Sequence, residues 1–141
     1  MVASIDKSAA TRLVPAIRYR DVAGAVTWLC SAFGFAQPNL VTGEDGSIVH
    51  AQLTFGQSMI MLLPVGGSDL DSVMKQPDEI GGAETQSCYF YVPDADSHYT
   101  TAKLAGAEIV LDIKEYGNGC RGYSCRDIEG HIWSFGTYDP W

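Results

Sequence analysis

Apolar positions fall into short alternating or continuous runs, interrupted by two stretches of helical spacing, and the order of these segments occurs twice. Residues Val14 to Arg20 alternate as a strand does, and Asp21 then supplies a carboxylate for a helix N-cap. Val22, Ala25, Val26, Leu29 and Phe33 carry the three- and four-residue spacing of one buried helix face, and Gly34 stands where a left-handed C-terminal residue is wanted. Three strands are predicted next, over 35–41, 48–55 and 59–63, with turns at 43–46 and 55–57. The second half follows the same programme. A strand over 88–92 leads to a helix capped by Asp94 or Asp96, whose packed side is Ala95, His98, Tyr99, Ala102 and Ala105 and which Gly106 ends. Strands over 108–113, 122–126 and 131–138 complete it, the last two joined by the turn 127–130.

The halves superimpose at a nearly constant offset: Asp21 to Asp94 is 73 positions, and the turn glycines Gly56 and Gly130 are 74 apart. The predicted class is therefore α+β, built from two βαβββ repeats. Residues 1–13 read as a flexible lead and 14–138 as a single domain, with repeat one over 14–64, a linker over 65–85 and repeat two over 86–138; residues 139–141 form a tail. A βαβββ unit covers one sheet face with its own helix, so the other face is buried by the twin or left as a concave ligand surface.

Charge narrows the partners. Seventeen acidic residues against nine basic give a formal charge of −8, which leaves no basic face for nucleic acid or an anionic membrane and favours a cationic ligand. At 141 residues the chain folds without needing a metal or disulfides. Residues 46–68 lack charge, but their unbroken apolar run, Met59 to Leu63, is too short to span a bilayer. Met1 to Arg12 lacks the apolar core of a secretory signal, so a cytoplasmic protein with reduced thiols is expected. Cys30, Cys88, Cys120 and Cys125 show no paired metal-ligand spacing.

Candidate chemistry is sparse. No nucleophilic triad, phosphate-cradling glycine loop or dinucleotide fingerprint is present. His98 reads as a packed or solvated helix residue, and His131 as a partner for backbone groups of the turn before it. His50 shares a strand face with Ile48, Gln52 and Thr54; if that polar face lines the concavity, His50 and Gln52 reach a ligand. Aromatic residues carry more information. Trp133 and Phe135 share one strand face, opposite Met59 and Met61 by the repeat. Tyr89 lies on an aromatic strand, while Tyr116 and Tyr123 flank a glycine-rich loop, 117–122, that holds Arg121. Such a lining suits flat or amphipathic molecules, with Arg121 as an anionic anchor; the alternative for Trp133 and Phe135 is plain core.

The repeat, the opening Ile17-Arg18-Tyr19-Arg20-Asp21-Val22 and the segment Arg126-Asp127-Ile128-Glu129-Gly130-His131-Ile132-Trp133-Ser134-Phe135 together resemble the vicinal oxygen chelate superfamily. This superfamily comprises glyoxalase I, extradiol dioxygenases, and fosfomycin- and bleomycin-resistance proteins, and the match is nearest its bleomycin-resistance-like branch. The resemblance implies two packed βαβββ units and, in metal-dependent members, one metal ligand from the first and last strand of each half. Transferred to this chain, those positions fall on Val14, Ile60, Ser87 (beside Gln86) and Ser134, a set unsuited to a divalent cation. It also implies a homodimer with ligand clefts near the interface.

The leading expectation is thus a metal-free protein that sequesters or carries an aromatic or amphipathic small molecule, with His50, Gln52, Tyr89, Tyr116, Arg121, Tyr123, Trp133 and Phe135 as ligand-binding residues and no cofactor. The alternative is a divalent-metal-dependent lyase, isomerase or dioxygenase with ligands displaced to His50, Gln86, Glu115 or His131. A metal-free enzyme using His50 or Tyr123 as acid/base and a regulatory partner domain complete the set.

Overall fold

The computed structural model describes residues 10–141, so residues 1–9 of the expected lead lie outside the described residues. The predicted order is present in both halves: β1 (Ala16–Tyr19), α1 (Val22–Phe33), β2 (Ala36–Thr42), β3 (Ile48–Phe55) and β4 (Ser58–Pro64), then β5 (Cys88–Tyr91), α2 (Ala95–Leu104), β6 (Glu108–Gly117), β7 (Cys120–Arg126) and β8 (Ile132–Gly136). Each half forms one four-stranded mixed sheet, ordered β1-β4-β3-β2 and β5-β8-β7-β6, in which the first strand pairs parallel with the last. Asp21 caps α1 by accepting from Gly24 N, and Gly34 ends it at φ 87°. Asp94 is the cap of α2, accepting from Ser97 N, which frees Asp96 for Arg121.

Two features depart from the sequence expectation. The glycine-rich loop expected at 117–122 is instead the tip of a long β6–β7 hairpin, turned by Asn118 and Gly119 at φ 51° and 75°. Asn-Gly with both residues left-handed matches the twist of the flanking strands, so no loop is needed. The second correction concerns register. Ile17 pairs with Leu62, and Phe90 with Phe135, which fixes the offset between halves at 73 on both strands. Trp133 and Phe135 therefore correspond to Ile60 and Leu62, not to Met59 and Met61. Aligning on the turn glycines slips the strand by one residue, and one residue reverses its faces.

The linker is not loose. It contains two short 3-10 turns, Asp69–Ser72 and Pro77–Ile80, clasped onto β1. Asp71 pairs with the buried Arg18 guanidinium, Asp78 binds Arg20 through both oxygens at 2.6 and 2.9 Å, and Gln76 Nε2 donates to the Arg18 carbonyl at 2.9 Å.

One core serves both halves. Phe33, at the end of α1, has its ring centroid 4.7 Å from Phe135, 5.5 Å from Trp133 and 5.0 Å from Trp28, so a first-half aromatic is embedded in second-half rings. Trp28 Nε1 donates to the Ala105 carbonyl at 2.9 Å, tying α1 to the end of α2. Asp127, 7% exposed, accepts from Tyr19 Oη at 2.6 Å and Trp133 Nε1 at 3.0 Å through one oxygen, and from the backbone N–H of Glu129 and His131 through the other. Burial, followed by the adjacent Asp127 charge, pushes the Tyr19 phenol well above its ordinary value, so it stays a donor.

His131 joins three parts of the chain. Instead of the turn groups expected for its ring, Nε2 lies 2.8 Å from the Arg18 carbonyl and Nδ1 2.9 Å from Glu84 Oε1. Both partners only accept, so the arrangement asks for an imidazolium donating from both nitrogens. Burial alone lowers its pKa, but the Glu84 hydrogen bond and the Asp127 charge outweigh that and raise it above 6.5. A raised pKa gives stability that is fully present below the ordinary histidine value and lost as pH rises through the raised one. His131→Gln is expected to flatten that alkaline-side decline, read as Tm against pH; an unchanged decline contradicts the assignment.

Candidate functional site

The face of the second sheet turned away from α2 carries a cleft of about 490 Å³. Strand register sets out this face in two rows, whose central residues Ser124, Ser134, Gly122 and Gly136 form the cleft floor. One row runs Tyr89–Ser134–Ser124–Leu111 across β5, β8, β7 and β6; the next runs Tyr91–Gly136–Gly122–Lys114. Cross-strand partners share a face, so these side chains lie side by side. Ser124 and Ser134 hydroxyls meet at 2.7 Å in the middle of the floor.

The two glycines allow close approaches: Gly136 makes room for the Tyr89 ring, and Gly122 lets β8 backbone pass close by. A Cβ on Gly136 would come within 2.9 Å of Tyr89 Oη, and one on Gly122 within 2.9 Å of the Phe135 carbonyl and 3.6 Å of the Tyr116 ring. Tyr89 Oη donates to the Tyr138 carbonyl at 2.7 Å, which fixes the ring at the cleft wall. Tyr89, Tyr116 and Tyr138 are each about half exposed (47, 55 and 59%), unusual for residues with so much apolar surface, and together with Leu111 they make the walls.

The eight residues singled out by sequence separate into four groups. Tyr89 and Tyr116 present their rings to the cleft. Arg121, Tyr123 and Phe135 border it, but their side chains leave on the α2 side of the strands: Arg121 donates to both oxygens of Asp96 at 2.8 and 2.9 Å, Tyr123 Oη lies 2.6 Å from His98 Nδ1, and Phe135 is wholly buried. Trp133, 1% exposed, is core and outside the cleft lining. His50 and Gln52 lie on the first sheet, where the matching row reads Ala16–Met61–Gln52–Asn39, and they do not contribute to this cleft. Sequence reading passed over Leu111 and Ser124 and met Ser134 only as an unsuitable metal-ligand position; the signal that would have found them as cleft residues is the 73-residue offset carried strand by strand, which separates the cleft face from the core face.

His98 is also part of the core rather than a surface ligand. Its Nε2–H donates to the Phe33 carbonyl at 2.8 Å, leaving Nδ1 to accept from Tyr123 Oη, and its ring lies 4.2 Å from that of Phe135. Burial lowers its pKa, so it holds the neutral form that this bonding pattern requires. Burial likewise pushes the Cys125 thiol up to about 12, which leaves it inert beneath the sheet.

The donor set does not fit the superfamily's divalent metal. Ile60 is wholly buried in the core, Val14 and Ser87 precede their strands, and the Ser134 hydroxyl is already bonded to Ser124. Both ring nitrogens of His131 are engaged, and His50 stands on the other sheet. Among the described residues, no three His, Cys, Asp or Glu side chains stand together as a metal site.

Comparison with known proteins agrees with the architecture. TioX from Micromonospora sp. ML1 superimposes with a TM-score of 0.70 at 32% identity, covering 89% of this chain and 94% of that one. The fosfomycin resistance protein FosX of Mesorhizobium loti shares the fold alone, with a TM-score of 0.64 at 12% identity over 94% of this chain and 95% of that one. An uncharacterized protein of Mycobacterium bovis is 28% identical over 124 residues, 88% of this chain and 81% of its own length. The model of the Glyoxalase/Bleomycin resistance protein/Dioxygenase superfamily matches residues 11–135, essentially the whole described domain, and the chain belongs to that superfamily.

Proposed function

We propose that this protein is a metal-free binding protein of the superfamily, which holds a flat aromatic or amphipathic small molecule in the cleft of its second sheet and acts by sequestering or carrying it. The observation that supports this reading is the row Tyr89–Ser134–Ser124–Leu111: exposed aromatic and aliphatic walls around a small-residue floor with one polar pair. Aromatic walls stack on a planar ring, and the hydroxyl pair fixes its orientation. Among the described residues, no group on this face has the pairing of nucleophile and base, or of acid and base, that covalent or proton-transfer chemistry needs.

The bleomycin-resistance-like branch is the part of the superfamily this reading favours, with a cytoplasmic homodimer as the working form. Pairing of two copies covers exposed apolar residues of the outer hairpin strands, such as Leu40 and Val41 on β2 and Val110 on β6.

The test is to fill the cleft from within. Ser134→Leu places a branched side chain between Tyr89 and Ser124 on the face away from the apolar core and removes the hydrogen-bond partner of the Ser124 hydroxyl. Saturation-transfer NMR with neutral two-ring aromatics is expected to detect binding to the wild type and none to Ser134→Leu, with far-UV circular dichroism unchanged and Tm lowered by about a few degrees for the lost Ser124 partner. Equal binding to both moves the ligand away from this cleft and overturns the proposal.

A further inference from the structure

Resting on the reading of this cleft as a small-molecule site, its charge pattern narrows the occupant. The chain carries a formal charge of −8, and yet no residue lining the cleft is Asp or Glu. On the same face the carboxylate of Glu108 lies beyond the Ser124 row, where it is the register partner of Arg126 and pairs with its guanidinium at 3.4 Å. At the other end, Lys114 is the register partner of Gly122, and its ammonium stands 4.9 Å from the Tyr116 ring centroid. Among the described residues Lys114 forms no ion pair, whereas Arg121 is held away on the α2 side by Asp96. The lining of this acidic protein's cleft is thus free of carboxylates; outside the Tyr89 wall the Asp139 charge reaches the Tyr89 phenol while its Oδ1 accepts from Trp141 N–H, and Lys114 stands at the border without an ion pair.

We propose that the cleft selects flat aromatic anions, such as aryl carboxylates or acidic phenols, with the ring over the Ser124–Ser134 pair and the anionic edge toward Lys114. The hydroxyl pair fits this assignment. Two hydroxyls bonded to each other use one hydrogen between them, so the second O–H remains to donate to an anionic oxygen or ring heteroatom. An aromatic cation finds no carboxylate in the lining, Asp139 lying outside it, and at the Tyr116 edge it faces the Lys114 ammonium. This is the reverse of the cationic preference that net charge alone suggests: a whole-protein charge governs the long-range field, and the few groups within a Debye length of the ligand govern selection.

The experiment titrates three probes of one ring system, 2-naphthoate, 2-naphthol and 2-naphthylmethylammonium, into the full chain by calorimetry, with the wild type, Lys114→Gln and Ser134→Leu. Naphthoate is expected to bind about tenfold more tightly than the ammonium probe. Lys114→Gln, an exposed substitution, is expected to weaken naphthoate about threefold to fivefold while leaving naphthol within twofold, the size of effect a partly exposed ion pair carries. Ser134→Leu is expected to abolish all binding. If naphthol binds in a Ser134-dependent way but naphthoate is no tighter than the ammonium, the anion assignment falls and the cleft reading survives. If none of the three binds, the cleft reading falls and takes the assignment with it.

Discussion

Asp127→Ala is expected to destabilise the fold by roughly 3–6 kcal/mol. Each charge-assisted hydrogen bond contributes roughly 1.5–3 kcal/mol, and each buried donor left without an acceptor costs about 1–3 kcal/mol. The carboxylate holds four donors at once, and two of them, Tyr19 Oη and Trp133 Nε1, belong to side chains that are 0 and 1% exposed, with no water to turn to. Tyr19 is on β1 and Trp133 on β8, so the loss falls on the junction of the two halves. Asp127→Asn separates charge from shape: its single carbonyl oxygen serves one pair of donors while its amide confronts the other, and an intermediate loss is expected. Urea unfolding followed by circular dichroism measures both. Against a total stability of about 5–15 kcal/mol, a loss below 1 kcal/mol for the alanine variant contradicts this account of the junction.

The second large effect is expected at Phe33. Truncation to alanine removes a ring, 1% exposed, that lies among Trp28, Phe35, His98, Trp133 and Phe135, and the expected cost is about 3–5 kcal/mol. Few of these neighbours are able to fill the void, because they are fixed by their own hydrogen bonds: Trp28 to Ala105, Trp133 to Asp127 and His98 to the Phe33 carbonyl and Tyr123. Because the site joins both repeats, the variant is expected to unfold with fluorescence and circular dichroism transitions still coincident, at lower denaturant. Two separated transitions would mean that the halves have independent cores.

Much of the architecture was legible because its determinants are local. Asp21, Gly34 and Asp94 mark helix ends by short-range hydrogen bonds and backbone conformation, and alternation in 48–55 gives β3 to the residue. The site was less legible because it depends on register. Nothing local distinguishes the face of Trp133 from that of Ser134; the distinction comes from pairing with β5 and β7 and from the helix that covers one side. The same blindness made Arg121 look like an anchor, since Asp96, its partner, is 25 residues away along the chain. His131 escaped a correct assignment for the same reason, its partners Arg18 and Glu84 lying 113 and 47 residues away. Tyr89 and Tyr116 were accessible to composition because large aromatics at strand positions are conspicuous. The role of Tyr89 as a wall required Gly136 to be seen as the residue that leaves room for its ring, beside its cross-strand partner Gly122.

The measurement that bears most directly on the central claim is native mass spectrometry of tag-free protein, before and after incubation with zinc, nickel and manganese and then with 2-naphthoate. The protein is expected to retain none of the three metals after desalting, and to carry one naphthoate adduct per chain that Ser134→Leu abolishes. One metal ion per chain that survives desalting, at residues outside the cleft described here, would contradict that expectation and make the protein a metal-dependent member of its superfamily.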